Sequence, residues 1–283
     1  MSCHISSEKL NNPLLKELLS KLTSYFSSVH SDFYVIGAAA RDIILTAVHE
    51  QEGKRSTSDL DIAIAIPDWA QFESISIGLC QIDGFEKSKE QRQRFIYNKV
   101  YLLDIVPFGA VAKEDNAIYW PPEEDIAMSV LGFKEVTNDV LEITIDAEFS
   151  VRVVQLPGIF LLKLSAFKDR NLTNNKDADD MAYIISNYLE ANENRAIENH
   201  YSEIYDVENF QTFTAGAVLL GKDIKALLSI NQDTLNSFIE ILQSEIEQEE
   251  GSVLINQMLE TYLSLKYEEV ANTLQSLLNE MKS

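Results

Sequence analysis

The stretch Tyr34-Val-Ile-Gly37-Ala-Ala-Ala-Arg41-Asp42, followed by Ser58-Asp59-Leu60-Asp61-Ile62 and later by Leu103-Asp104-Ile105, decides how this chain is read. In a strand, side chains alternate between faces, so Asp59 and Asp61 leave one side together while Leu60, Ile62 and Ile64 leave the other. Two carboxylates held that close repel unless a cation lies between them. Asp104 belongs to another apolar run, residues 100–106, of the kind a neighbouring strand supplies. Three converging carboxylates offer hard oxygen ligands for Mg²⁺, which keeps few protein ligands and takes substrate phosphates as the others. Gly37 can adopt a backbone conformation closed to other residues, letting a phosphate come close to the main chain. The amides opening the next helix would then point at that phosphate.

Outward from this core the period of the apolar residues changes several times. Leu14, Leu15, Leu18, Leu19, Leu22 and Phe26 recur at three and four, which predicts an amphipathic helix over 14–30. A strand over 33–36, a helix over 38–48, a polar loop over 50–58 and a strand over 59–66 follow. Pro67 stops that strand, and Asp68 caps a helix reaching about residue 79. A hairpin is expected at 94–98 and 100–106 around Asn98-Lys99, and a β-rich stretch at 136–154. After Pro157 the pattern is helical: 159–168, 179–189, 218–228, 234–248, 253–265 and 267–281. The expected fold class is therefore α+β: a mixed α/β half over 1–155 with flanking helices, then a helical domain over 156–283. No sustained internal repeat or low-complexity tract interrupts it.

At 283 residues and 46% hydrophobic content, the chain can bury a core in one large domain or two ordinary ones. Cys3 and Cys80 lie far apart and the four histidines are scattered, a pattern that suggests neither zinc nor a disulfide framework. No run approaches the roughly 20 apolar residues of a membrane span, and the N-terminus carries no secretion pattern, so a cytoplasmic protein with no membrane partner is expected. The formal net charge of −22 argues against a general nucleic-acid coat, which needs Lys and Arg to release counterions from phosphates. Any basic face must be local. Lys87, Lys89, Arg92 and Arg94 are the candidates for touching an acceptor nucleic acid, the alternative being a solvated hairpin. Beyond Glu190 acids outnumber bases by about 17 to 5, a solvated helical face.

Two segments carry a family resemblance. Gly37-Ala-Ala-Ala-Arg41-Asp42-Ile-Ile-Leu45 resembles the Gly-Gly-x-Val-Arg-Asp-x-Leu-Leu segment of CCA-adding enzymes and bacterial poly(A) polymerases. Arg55-Ser-Thr57-Ser-Asp59-Leu-Asp61 is similar to the Arg-x-Thr-x-Asp-x-Asp segment of AbiEii/AbiGii toxin-type nucleotidyltransferases. A later block follows the toxin-type pattern of Lys-Leu-x-Ala-x-x-x-Arg and then Lys-Asp-x-x-Asp: Lys163-Leu-Ser-Ala166-Phe-Lys-Asp169-Arg170, then Lys176-Asp177-Ala-Asp-Asp180. The resemblance covers residues 33–189 and selects the toxin branch of the nucleotidyltransferase superfamily.

That resemblance implies a nucleotidyltransferase-fold sheet whose active-site cleft the helical domain helps to form, and a reaction moving NMP from an NTP to an acceptor hydroxyl with release of pyrophosphate. Asp59, Asp61 and Asp104 would be both catalytic and metal-binding. Gly37, Ala38, Arg41, Thr57 and Ser58 would hold the nucleotide, Lys163 its phosphates, and Asp177 or Asp180 would be a distal functional acid. The implied partners are an NTP, an RNA acceptor such as a tRNA 3′ end, and a cognate antitoxin. A protein or small molecule is the alternative acceptor. Ala38 stands where the superfamily usually has Gly or Ser, which removes one hydroxyl donor to phosphate and leaves the backbone donors. A catalytically silent nucleotide-binding or protein-interaction member is therefore the second expectation.

Overall fold

In the computed structural model, residues 2–10, 12–51, 59–124 and 127–283 are described. They divide into two compact units, Met1–Gln155 and Leu156–Ser283. The architecture is mixed α/β, with a mixed sheet and many helices.

The first unit contains, in chain order, β1 (Ser2–Ile5), α1 (Pro13–Ser28), β2 (Tyr34–Ile36), α2 (Gly37–Asp42), β3 (Asp59–Ile66) and α3 (Trp69–Cys80). There follow β4 (Phe85–Lys87), β5 (Arg94–Tyr97), β6 (Tyr101–Gly109), β7 (Ala117–Tyr119), β8 (Ala127–Ser129), α4 (Phe133–Val136), β9 (Val140–Ile145) and β10 (Phe149–Val154). Among the described residues, eight strands form one sheet in the order β1-β9-β10-β2-β3-β6-β5-β4, and β7 pairs β8 apart from it. At its centre β2 runs antiparallel to β3, and β3 parallel to β6. Leu60, Ile62 and Ile64 of β3 are fully buried, whereas Asp59 is exposed. The alternation along 59–64 thus separates an apolar face from an acidic one.

Helix α1 starts where Asn12 accepts a hydrogen bond from the Leu14 amide at 3.0 Å, with Pro13 in the first turn. Its buried stripe is Leu15, Leu18, Leu19, Leu22 and Phe26. Each such side chain contributes about 1.5–3 kcal/mol when removed from water. Asp68 caps α3 by accepting from the Gln71 amide at 2.9 Å. The helix expected over 38–48 begins at Gly37 and continues beyond Asp42 in π geometry through Ile43–Val48. Short π segments are often found at functional sites.

The second unit is helical: α5 (Leu156–Arg170), α6 (Lys176–Ala191), α7 (Glu193–Ile204), α8 (Thr212–Leu228), α9 (Gln232–Glu247), α10 (Val253–Thr261) and α11 (Tyr267–Lys282). Helix α5 is buried nearly all round from Leu156 to Leu162. Gly216 of α8 lies against α6 so closely that a Cβ there would stand 2.4 Å from the Ile185 carbonyl oxygen. No helix of the described residues is long and apolar enough to cross a membrane.

Besides the short β7, β8 and α4, strand β1 and helix α7 have no counterpart in the sequence reading. Strand β1 is too short to show a period, and forms by pairing parallel to β9 from Ser2↔Glu142 to Ile5↔Ile145. Helix α7 buries only Ala196 and Ile204, so it lacks the apolar stripe that marks the others. The helix expected to reach residue 265 ends at Thr261.

Candidate functional site

Strand register brings the quoted motifs together. Ile36 of β2 pairs with Asp61 of β3, and Asp61 pairs with Asp104 of β6. Register partners on neighbouring strands share a face, so Asp61 and Asp104 leave the sheet side by side, and Asp59, two residues back, leaves the same way. Directly after Ile36 the chain turns at Gly37 with φ +69°, the left-handed region that favours glycine. A Cβ on Gly37 would lie 2.4 Å from Asp61 Oδ2. The bare α-carbon is what makes room for the Asp61 carboxylate against the turn.

One of these acids, Asp104, is held by an arginine. Arg94 of β5 is the register partner of Asp104, and it binds that carboxylate through two bonds: Nε donates to Oδ1 at 2.8 Å and Nη2 to Oδ2 at 2.7 Å. The Asp104 carboxylate raises the Arg94 pKa first through these bonds, with the charges of Asp61 and Asp59 adding to it. Arg41 is wholly buried, and its Nε donates to Asp42 Oδ1 at 2.8 Å. Beneath the cluster, burial pushes the Tyr101 phenol up, and the negative field of Asp59, Asp42 and Asp61 pushes it further. Asp42 therefore belongs to the same acidic field as the β3 pair.

The donor set suits Mg²⁺ in chemistry, being carboxylate oxygens. Even so, among the described residues no group of three His, Cys, Asp or Glu side chains is arranged so that it could hold a metal ion. Asp104 is turned to Arg94 instead. Thr57 and Ser58, expected to touch the nucleotide, lie outside the described residues, as does Arg55. Ala38 and Arg41 follow Gly37 in α2.

In the second unit, Lys163 of α5 does not reach to solvent as a lone lysine on an apolar helix would. Its Nζ lies 2.7 Å from Asp180 Oδ2 and 3.3 Å from Asp177 Oδ1, with the lysine side chain 11% exposed and the two carboxylates 2% or less. Arg170 adds a second cation, donating from Nε to Asp177 Oδ2 at 2.6 Å and from Nη2 to Asp177 Oδ1 at 2.8 Å. Asp177, Asp179 and Asp180 open α6, where its dipole favours acids, and all three are buried. Burial of such charges is tolerable only with partners, which α5 supplies.

The basic hairpin is a correction. Lys87 lies over the Phe95 ring at 4.0 Å and the Phe72 ring at 5.2 Å, and donates to the Arg92 carbonyl oxygen. Arg92 donates to the Trp120 carbonyl oxygen at 2.9 Å and also binds Pro121 O and Glu123. With Arg94 on Asp104, three of the four cations are spent within the chain, and of the four only Lys89 is exposed. Neither an open basic surface nor a merely solvated hairpin describes them.

Sequence reading passed over Arg94 as the partner of Asp104. The usable signal for Arg94 was its place in a hairpin opposite Asp104. Compared with known proteins, the chain matches no family model, no curated protein and no solved structure.

Proposed function

We propose that this chain is a Mg²⁺-dependent nucleotidyltransferase of the toxin type, moving NMP from an NTP to an acceptor hydroxyl with release of pyrophosphate. One observation carries the reading: the Ile36↔Asp61↔Asp104 register, which sets a glycine turn and two carboxylates at the same level of three adjacent strands. Asp59, Asp61 and Asp104 would hold the ion. When bound, it would neutralise triphosphate charge and favour the ionised acceptor hydroxyl. The chain's own contribution is positioning. Gly37 leaves room for the Asp61 carboxylate against the turn that opens α2, which fixes the level at which that carboxylate stands. Lys163, Asp177 and Asp180 stay in the reading as an ion-paired group, with no step of the transfer assigned to them.

By its resemblance the protein is proposed to be the toxin of a toxin–antitoxin system, with a tRNA 3′ end as acceptor. The absence of a free basic hairpin makes a protein or small-molecule hydroxyl an equal candidate. A second reading, nucleotide binding without transfer, is favoured by Ala38 and by the engagement of Asp104 with Arg94. Incubation with Mg²⁺, each α-labelled NTP and total tRNA separates the two. Label transferred to RNA or protein, and abolished by Asp61→Ala, supports the enzyme. Nucleotide binding with no transfer to either supports the silent reading.

A further inference from the structure

Most of helix α7 faces solvent, and its exposed side chains include apolar ones. Tyr201 is 59% exposed, and Phe210, in the loop after the helix, 42%. The half-buried Tyr205 lies beside both, with ring centroids 5.4 Å and 5.6 Å away, and stacks on Phe210 at an interplanar angle of 20°. Ile197 and Val207 of the same segment are exposed as well. Single apolar side chains are ordinary on any surface, whereas adjoining exposed rings mark a place of interaction.

Charge says what covers these rings. Residues 190–210 hold six acids, Glu190, Glu193, Glu198, Glu203, Asp206 and Glu208, all exposed, against a single Lys or Arg, Arg195. Arg195 is held by Asp223, its Nη1 donating to Oδ1 at 2.7 Å, and Glu203 is paired with Lys222 at 2.5 Å. Burial raises the Tyr205 phenol, and the charge of Glu193 raises it further, which places that acid near the rings. Ring faces attract cations, and a guanidinium stacks on a ring while its N–H groups reach carboxylates, as the compact ammonium of lysine does less well. Phosphates and anionic lipid headgroups are repelled by such a surface, and a second copy of a chain with net charge −22 meets it with the same sign. We propose that the Tyr201, Tyr205 and Phe210 surface is a docking site for an arginine-rich segment of a partner protein. The rings supply the apolar area that excludes water, and the acids around them draw the segment in. This role is independent of the nucleotidyl-transfer reading.

Fluorescence anisotropy of a labelled peptide of alternating Arg and Ser, titrated with the full chain at physiological ionic strength, tests this. Saturable binding is expected, weaker for the matching Lys-Ser peptide. Tyr201→Ala/Phe210→Ala should weaken it on the order of tenfold, two exposed cation–ring contacts being lost. Asp206→Asn/Glu208→Gln should weaken it too, whereas Glu247→Gln/Glu250→Gln, which removes the same charge at the end of α9 and just beyond it, should leave it within about twofold of the wild type. Hydrogen exchange on the unsubstituted protein covers the case in which the ring variant does not fold: the peptide should slow exchange within residues 197–210. Equal affinity in the wild type and the ring variant, equal losses in the two charge variants, or no protection of 197–210 would overturn the docking site. So would a wild-type dimer in sedimentation that Tyr201→Ala/Phe210→Ala dissolves, which gives the surface to a second copy, or binding of phosphatidylserine vesicles that the same variant abolishes, which gives it to a membrane.

Discussion

At the scale of single residues, Gly37 is the most constrained position of the site. Its φ of +69° and the 2.4 Å gap between an added Cβ and Asp61 Oδ2 act together: alanine there pays for the left-handed backbone and also displaces the carboxylate. The backbone part alone costs about 1–2 kcal/mol. Gly37→Ala is therefore expected to lower the thermal midpoint and to weaken Mn²⁺ binding, whereas Ala38→Gly should leave ion binding unchanged. A Gly37→Ala protein as stable and as metal-competent as the wild type would remove the turn from the site. Lys87 gives a test by pH. Burial pushes its ammonium down to about 8 from the ordinary 10.5, so between those values the unfolded chain carries the extra proton. Stability contributed by this residue must then rise with pH across that window. Chemical denaturation of the wild type and Lys87→Met at several pH values should show that rise in the wild type and its loss in the variant; parallel pH profiles would contradict it. The residue scale is also where the sequence was least legible. Asp59, Asp61 and Asp104 were readable from alternation, but the partner of Asp104 was not, because a one-residue change in the turn at Asn98-Lys99 would have put Arg94 on the opposite face. The observed pairing of Tyr97 with Tyr101 spans three turn residues, and this is what aligns Arg94 with Asp104.

At the scale of elements, helices α5 and α6 are joined by charge as well as by apolar packing. Lys163 was quoted from a motif as a phosphate contact, and Asp177 or Asp180 as a distal functional acid. What a single sequence could not supply was that α5 is buried almost all round, leaving the lysine nowhere to go except the carboxylates. Lys163→Met leaves two carboxylates, each at most 2% exposed, with one cation fewer. Removing one member of a buried ion pair costs about 3–5 kcal/mol. An unfolding free energy in urea lowered by that amount is expected, with substantial recovery in Lys163→Met/Asp180→Leu. A single variant within about 0.5 kcal/mol of the wild type would show that the buried charges are solvated after all. Periodicity made α1 and most helices of the second unit readable, and α3 was readable from Pro67 and from Asp68, which caps its start. By contrast β1 owes its existence to β9, a partner about 140 positions away whose influence no local pattern carries.

At the scale of the whole molecule, charge bears on the acceptor more than on the nucleotide. With a formal net charge of −22 and the 87–94 cations largely committed, generic RNA is expected to bind weakly even at low salt. A triphosphate needs only a local site, and on the proposed reading a metal ion held by the carboxylates would supply one without any basic face. The nucleotide site can therefore be tested before any acceptor is known. The most direct measurement is calorimetric titration of α,β-methylene analogues of the four NTPs into the wild type and Asp61→Asn, each with Mg²⁺ and with EDTA. The expected result is binding of at least one analogue that requires Mg²⁺ and falls in Asp61→Asn by more than the roughly 10–100-fold that even an outer partner of a metal ligand is worth. Binding of equal strength in EDTA and in Asp61→Asn, or no binding of any of the four, would contradict it.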